Sequence, residues 1–441
     1  MSKRPCVAPR AVLHAGVLAS IGQCLASTND VRMLLLALPL DALDEPLTAL
    51  RSLVSTPRAL HPEHWPQVCI EDMDDRYTAT VLAALPVFSS KPGAIGDATM
   101  AFVAKWGHKV KCIRLTTWQE HYIHVLAPLL RLCTGLDEII VHAAEADPRF
   151  LNAVAVATLC ITRMYLAGLS DNAFASKSWL TAMTTWLASG RARELKLVNI
   201  VSTDDKILAR AIAAAASLTS LELRDTYGLV QGLLEAAMPL PHLTALRLQT
   251  QLDTTNLELL LTNAIKLSAL RVLELGDCSS TDDQFFLMLL PRLVALEELS
   301  LARCRMRSVH PLTLAPAPRR LQTLTLYRCF MDDISCLSLL DWALQSPYLK
   351  SISLDSVATV KSKPVHVGRL VRRWITAGIE RVTIPSGSMG AESVIAVAMA
   401  LCDTPVLTFR VVHWQRCDDH GVLCRAVGRA GHVLGRHARG V

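Results

Sequence analysis

The nine residues beginning at Leu296 read LEELSLARC; LRVLELGDC begins at Leu270 and LQTLTLYRC at Leu321. Leucine fills the first, fourth and sixth places of each phrase, and cysteine fills the ninth. Residues two apart leave a strand on the same face, so Leu299 and Leu301 project together while Glu298 and Ser300 project oppositely. One such strand cannot bury its leucines alone, but a stack of parallel copies can. A phrase repeated at a nearly fixed period therefore makes the chain grow by adding similar layers instead of closing around one core.

The phrase can be followed both ways. LKSISL begins at Leu349, IERVTI at Ile379 and a worn TPVLTF at Thr404; upstream lie LTALRL at Leu243, LTSLEL at Leu218, ARELKL at Ala192, ITRMYL at Ile161, LDEIIV at Leu136, VKCIRL at Val110 and WPQVCI at Trp65. The pattern resembles the leucine-rich repeats of the cysteine-containing, ribonuclease-inhibitor-like kind, in about twelve copies. The resemblance implies an open, right-handed α/β solenoid, with a parallel sheet on its concave face and helices on its convex face. Residues 53–424 are assigned to the array.

Helix patterns lie between the strands. DDQFFLMLLPRL carries Phe286, Leu289, Leu290 and Leu293 at helical spacing, and NLELLLTNAIKL is a second example. The acid pairs Asp204-Asp205, Asp282-Asp283 and Asp332-Asp333 recur at one place in their repeats, where a helix begins. That recurrence favours capping of free amides over catalysis or cation binding. The strand spacing breaks between Ile70 and Val110. Two helices, Arg76–Phe88 and Asp97–His108, joined by the loop SSKPGAIG, are expected there as an enlarged segment near 71–109.

Composition agrees with a layered core and narrows function. Hydrophobic residues make up 51% of the 441 and charged residues 19%, enough apolar surface to exclude a disordered chain. The net charge of +6 is too mild and too scattered for a nucleic-acid lane. Thirteen cysteines, several at one repeat position, read as reduced, buried thiols of a cytoplasmic or nuclear protein, not a disulfide framework. No membrane span is expected, because no run of about 18 strongly apolar residues exists.

No phosphate loop, nucleophile elbow or zinc-protease motif occurs, so neither an enzyme nor a cofactor is expected. His413, Cys417, His420 and Cys424 make one helical stripe about 16 Å long, which cannot surround a single ion. EDMDD (71–75) lacks the ligand spacing of a calcium loop. HYIH (121–124) has no partner set and reads as solvated helix surface. Residues 425–441 lose all periodicity and read as a basic, disordered tail.

The first 52 residues depart from the repeats. Val17, Leu18, Ile21 and Leu25 form one helical stripe, STND is a fresh capping region, and a second apolar helix begins near Asp30 or Val31 and includes Leu34. This arrangement resembles the start of an F-box, although the Leu-Pro opening and the Cys/Arg/Trp ending are missing. The resemblance implies docking on a Skp-type adaptor through Val17, Leu18, Ile21, Leu25, Asp30, Val31 and Leu34. An F-box-like segment directly before a leucine-rich array implies a substrate-recognition subunit of an SCF-type ubiquitin ligase. The other reading is a helical cap on the open end of the solenoid. An adaptor surface keeps these side chains exposed; a cap buries them.

The non-leucine strand positions give the expected target surface. The residue between the fourth and sixth places runs Arg114, Ile140, Tyr165, Lys196, Glu222, Arg247, Glu274, Ser300, Thr325, Ser353, Thr383 and Thr408. Arg224, Gln249, Arg303, Tyr327 and Arg328 follow just after. Arg and Tyr are enriched at interface hot spots, which singles out Tyr165, Lys196, Glu222, Arg224, Arg247, Glu274 and Tyr327. The alternating signs suit a mixed-charge protein partner better than nucleic acid. Outside such a complex a monomer is expected.

Overall fold

The computed structural model describes residues 28–56, 68–69, 76–84, 88–90, 103–104, 107–115, 123–143 and 161–168; then 177–306 apart from 203, 237–238, 241, 266, 279–284 and 286–288; and 319–355, 364–383, 392, 395–396, 399–400 and 410–411. The STND cap's first residue, the Val17–Leu25 stripe, both cysteine-rich and basic C-terminal stretches, EDMDD and the Asp282-Asp283 pair fall outside these residues. The chain divides into two compact units, Met1–Ala173 and Phe174–Val441.

The first unit opens with two helices, α1 (Thr28–Ala37) and α2 (Glu45–Ser55). Asp44 caps α2 by accepting a hydrogen bond from the Leu47 amide at 2.9 Å, and Pro46 sits where no amide is needed. Leu47, Leu50 and Leu53 form the buried stripe of α2. Helix α2 packs on α1 and on α3 (Thr78–Ala84). Strands β1 (Val68–Cys69), β2 (Phe88–Ser90), β3 (Val110–Leu115), β4 (Glu138–Ala143) and β5 (Arg163–Gly168) pair side by side, all parallel. Helix α4 (Ile123–Leu132) joins β3 to β4. The segment expected to hold only helices and a loop thus contains a strand. Phe88 leaves the expected first helix and Ser89–Ser90 leave the expected loop to bridge β1 and β3, with one irregularity of register after Phe88.

The second unit repeats the same step. Its main sheet runs β6 (Glu194–Val198), β7 (Ser220–Arg224), β8 (Ala245–Gln249), β9 (Val272–Gly276), β10 (Glu298–Ala302), β12 (Thr323–Tyr327), β14 (Ser351–Asp355), β15 (Arg381–Thr383) and β16 (Arg410–Val411), each parallel to the next. Two short strands, β11 (Arg305–Met306) and β13 (Phe330–Met331), make a separate parallel pair just beyond β10 and β12. The fourth phrase positions lie in one row: Leu195, Leu221, Leu246, Leu273, Leu299, Leu324, Ile352 and Val382 are each at most 1% exposed. Each such side chain is worth roughly 2 kcal/mol of transfer free energy. The fold is therefore an α/β solenoid built by repetition, with helices α5 (Lys177–Ala188), α6 (Asp205–Ala214), α7 (Tyr227–Ala236), α8 (Thr254–Leu259), α9 (Asp333–Leu344) and α10 (Pro364–Thr376) between strands.

A backbone pattern independent of side chain joins the layers. The carbonyl at the second phrase position accepts two amides from the following repeat. Thr219 O takes those of Thr244 and Ala245, Thr244 O those of Arg271 and Val272, and Arg271 O those of Glu297 and Glu298. At the other strand end the eighth residue turns left-handed: Asn199, Asp225, Asp277, Arg303 and Arg328 have φ of 49–60°. The amide of each donates to the last strand carbonyl of the next repeat, at 2.6–2.9 Å. Asn and Asp tolerate this conformation best. The two arginines adopt it because the ladder fixes them.

The ninth-position thiols sit beneath these turns. Cys278, Cys304 and Cys329 are at most 3% exposed, and Cys304 and Cys329 Sγ donate to the carbonyls of Leu275 and Leu301, one repeat back. Burial pushes Cys112, Cys133 and Cys329 each up to about 12. Cys278 is pushed up first by its hydrogen bond with Cys304 and then by burial. Such thiols are packing elements, not nucleophiles.

Helix starts follow the acids. Asp204 accepts from the Ile207 amide at 3.0 Å, Asp253 from Asn256 at 2.7 Å and Asp332 from Ser335 at 2.7 Å. NLELLLTNAIKL forms a helix that widens into a π turn over Leu260–Ala264. The final strand differs in register from expectation. Arg410 and Val411 pair with Arg381 and Val382, while TPVLTF itself lies outside the described residues.

Candidate protein-binding surface

On the strand face opposite the leucines, the parallel register sets the fifth phrase positions shoulder to shoulder: Lys196, Glu222, Arg247, Glu274, Ser300, Thr325, Ser353 and Thr383. Neighbouring strands lie about 4.8 Å apart, so unlike charges in adjacent rows must meet. Lys196 Nζ lies 3.0 Å from Glu222 Oε1. Arg224, last residue of β7, turns back onto the same oxygen and reaches Glu274 Oε1 at 3.5 Å. Arg247 Nε lies 3.7 Å from Glu274 Oε2. Three cations and two carboxylates thus form one connected band across four strands.

The carboxylates are the better buried partners: the side chains of Glu222 and Glu274 are 11% and 21% exposed, while the three cations are 31–34% exposed. The anions tie the band down and the cations face solvent. Beyond Glu274 the face narrows to Gly276, Ser300, Ala302 and Thr325. Gly276 is required there, since a Cβ would lie 2.8 Å from Cγ of Gln249, which crosses it. On the far side of this shallow stretch stands Tyr327, with the Arg328 guanidinium 5.1 Å from its ring centre.

Of the residues singled out in the sequence, Lys196, Glu222, Arg224, Arg247 and Glu274 come together directly. Tyr327 stands four strands from Arg224 in the same row, about 19 Å away at sheet spacing. Tyr165 lies on β5 in the first unit, edge-on to His142 at 5.1 Å, and is no part of the charged band. Arg224, Gln249 and Tyr327, expected just after their strands, are the last strand residues. Sequence reasoning did not find the fork in which Arg303 Nε and Nη2 donate to the two carboxylate oxygens of Asp277. Its signal was present: Asp and Arg at the eighth position of consecutive phrases.

At the other end of the chain, Val17, Leu18, Ile21 and Leu25 lie outside the described residues. Asp30 is exposed in the first turn of α1, Val31 is fully buried and Leu34 is half-buried. Val31 and Leu35 hold α1 down. Met33 and Leu36 point the other way and are 62% and 44% exposed, with Leu40 at 64% just after the helix. The apolar surface there is thus carried by Met33, Leu36 and Leu40, none of which was among the residues first singled out.

Among the described residues no group of three or more His, Cys, Asp or Glu side chains could hold a metal ion. No helix among them is long and apolar enough to cross a membrane.

No protein-family model matches the chain, and no curated protein matches it. Among solved structures, one described as the crystal structure of the Rad7 and Elc1 complex in yeast is similar to it. That similarity is 12% identical, covers 90% of this chain and 92% of the other, and has a TM-score of 0.45.

Proposed function

We propose that this protein is a non-enzymatic recognition subunit of an SCF-type ubiquitin ligase. Its solvent-facing sheet holds a target protein, and its N-terminal helices meet a Skp-type adaptor. The observation that carries the target-binding half is the band Lys196–Glu222–Arg224–Glu274–Arg247. It presents fixed, part-exposed cations beside a shallow hydroxyl-lined stretch bounded by Tyr327. Preformed charge of both signs suits a protein surface, whose partner charges it can match, better than a phosphate backbone. The chain supplies proximity, and the ligase transfers ubiquitin.

The adaptor half rests on the F-box-like pattern and on exposed Met33, Leu36 and Leu40, a surface of the kind a docking helix needs. Burial of Val31 and Leu35 favours a second reading, a leucine-rich repeat scaffold unrelated to ubiquitin whose N-terminus is a cap.

The two readings separate in a pull-down of the host's Skp-type adaptor. Full-length protein is compared with the variants Leu18→Asp/Ile21→Asp and Met33→Asp/Leu36→Asp, each checked for native circular dichroism. Adaptor retained by the native chain and lost by both folded variants supports the ligase role. No adaptor on well-folded native chain removes that role and leaves the scaffold.

A further inference from the structure

One joint between layers is built differently from its neighbours. At the eighth place of the phrase Asn199, Asp225, Asp277, Arg303 and Arg328 turn left-handed, and the amide of each bonds to the next layer. The layer of β8 has Thr250 at that place, and Thr250 does not take positive φ. A β-branched side chain resists that conformation, so the threonine itself accounts for the missing turn. Burial records the same change. In neighbouring layers the ninth residue points inward, as Thr226, Cys278 and Cys304 do at no more than 3% exposure. Here the ninth residue, Gln251, is exposed, while Thr250 and Leu252 on either side of it are buried.

The bond that the turn carries is lost with it. Every other joint from β6 to β14 has a rim amide donating to the last carbonyl of the following strand; among the described residues, Thr250 makes no such bond to Gly276. The Gly276 carbonyl receives the Cys278 thiol instead, at 3.8 Å. The helix side of the same layer is altered too. Helix α8 ends after 6 residues and widens into the π turn at Leu260–Ala264, a device common where a helix serves function. Two ties remain: β8 and β9 pair along their whole length, and the Thr244 carbonyl at their N-terminal ends accepts the amides of Arg271 and Val272. A joint held at one edge and released at the other yields by rotation about the held edge. The charged band crosses this joint. Lys196, Glu222, Arg224 and Arg247 stand before it and Glu274 after it. The band's two longest contacts, Arg224–Glu274 at 3.5 Å and Arg247–Glu274 at 3.7 Å, are the ones that span it.

We infer that the joint between β8 and β9 is a hinge built into the repeat array and latched by Glu274. Bending about the strand N-terminal ends draws Glu274 away from Arg224 and Arg247. Both guanidiniums are then released toward carboxylates of the target, and the surface adjusts to the target's curvature. The inference rests on the proposed target-binding surface for its purpose, while the hinge itself is testable on the free chain.

The test is native-state hydrogen exchange of the full-length chain, read residue by residue by mass spectrometry. Ladder amides of the β8–β9 pairing nearest Gln249 and Gly276 should exchange up to about tenfold faster than those at the same places in β10 and β12. Glu274→Gln removes the latch and should speed exchange at this joint by roughly threefold, leaving the β12–β14 joint unchanged. Glu298→Gln, which alters an exposed carboxylate outside the band, should change neither joint. Thr250→Asn supplies a residue suited to the left-handed turn and should slow exchange at the joint toward that of its neighbours. The comparison within the native chain and the Glu274→Gln response decide the question whether or not Thr250→Asn folds. Even exchange across all joints of the native chain, or a Glu274→Gln effect spread equally over β10, β12 and β14, overturns the hinge. A hinge signature in a chain for which no target is found leaves the hinge standing and counts against the target-binding reading alone.

Discussion

Glu222 is the keystone of the charged band, and its removal has a calculable effect. The residue is 8% exposed, and its Oε1 faces Lys196 at 3.0 Å and the Arg224 Nε. Glu222→Ala deletes the anion and leaves two cations facing each other. Removing one partner of a largely buried ion pair costs up to about 3–5 kcal/mol. Part of that returns as water, because the Lys196 and Arg224 side chains are already 32% and 34% exposed, and Arg224 keeps Glu274. The net loss should be about 2–3 kcal/mol, while Glu222→Gln, which keeps an acceptor oxygen, should lose about half of that. Trp186, Trp342 and Trp374, fully buried in the same unit, report its unfolding by fluorescence in urea. A double-mutant cycle with Lys196→Met should give a coupling of about 1 kcal/mol. A Glu222→Ala midpoint that hardly moves, or a coupling indistinguishable from zero, would refute the view that the band is a fixed structure and make it a set of independent solvated charges.

Four further outcomes can be checked. The folded-state thiols of Cys112, Cys133 and Cys329 ionise near 12 against 9.0 unperturbed, so their stabilisation is complete below about pH 9 and is lost as pH rises toward 12. Each should cost up to about 4 kcal/mol over that window, and Cys329→Ala should show a shallower alkaline loss in urea titrations at pH 8 to 11. Gly135→Ala places a Cβ 2.1 Å from the backbone oxygen of His108, so it should destabilise the first unit by about 2–3 kcal/mol. Gly190→Ala meets nothing within 4 Å but has φ of +73°, and thermal melts should show a smaller loss, about 1 kcal/mol. Asp332→Ala removes the acceptor for the Ser335 amide and should cost about 1 kcal/mol, largely restored by Asn at the same place.

The repeat was legible because its signal is physical. Leu299 and Leu301 must share a face, and the same spacing in Leu324 and Leu326 or Ile352 and Leu354 could mean nothing but stacked strands. The capping acids were legible by recurrence, as Asp204 and Asp332 show. The strand Phe88–Ser90 was not, because Phe-Ser-Ser offers one apolar residue and no alternation, and only its neighbours β1 and β3 make it a strand. The last register was lost for a similar reason: LTFRVV alternates weakly, and pairing, not pattern, selects Arg410 and Val411. Of the binding surface, the charged rows could be read once the strand phase was known. The turning back of Arg224 onto Glu222 is a side-chain conformation that no periodicity announces, whereas the Asp277–Arg303 fork was readable from Asp and Arg at the eighth places of consecutive phrases. Which face of α1 lies open was hidden likewise, since Val31 and Met33 are both apolar and only packing tells them apart.

The double acceptance of amides at Thr219, Thr244 and Arg271 is made by backbone groups, with only the Thr244 hydroxyl adding a side-chain bond to the Thr219 carbonyl. The carbonyl of Thr244 would receive the amides of Glu297 and Glu298 as readily as those of Arg271 and Val272. Excising a whole layer would leave the joint intact, whereas removing a fraction of one would misalign everything downstream. The charged rows behave oppositely: the same excision would set Arg247 beside Ser300 and erase the Glu274 bridge. The array thus resembles a type-case in which the frame is indifferent to the letter it holds. Duplication or loss of layers can rewrite what this surface recognises while the scaffold that displays it stays the same.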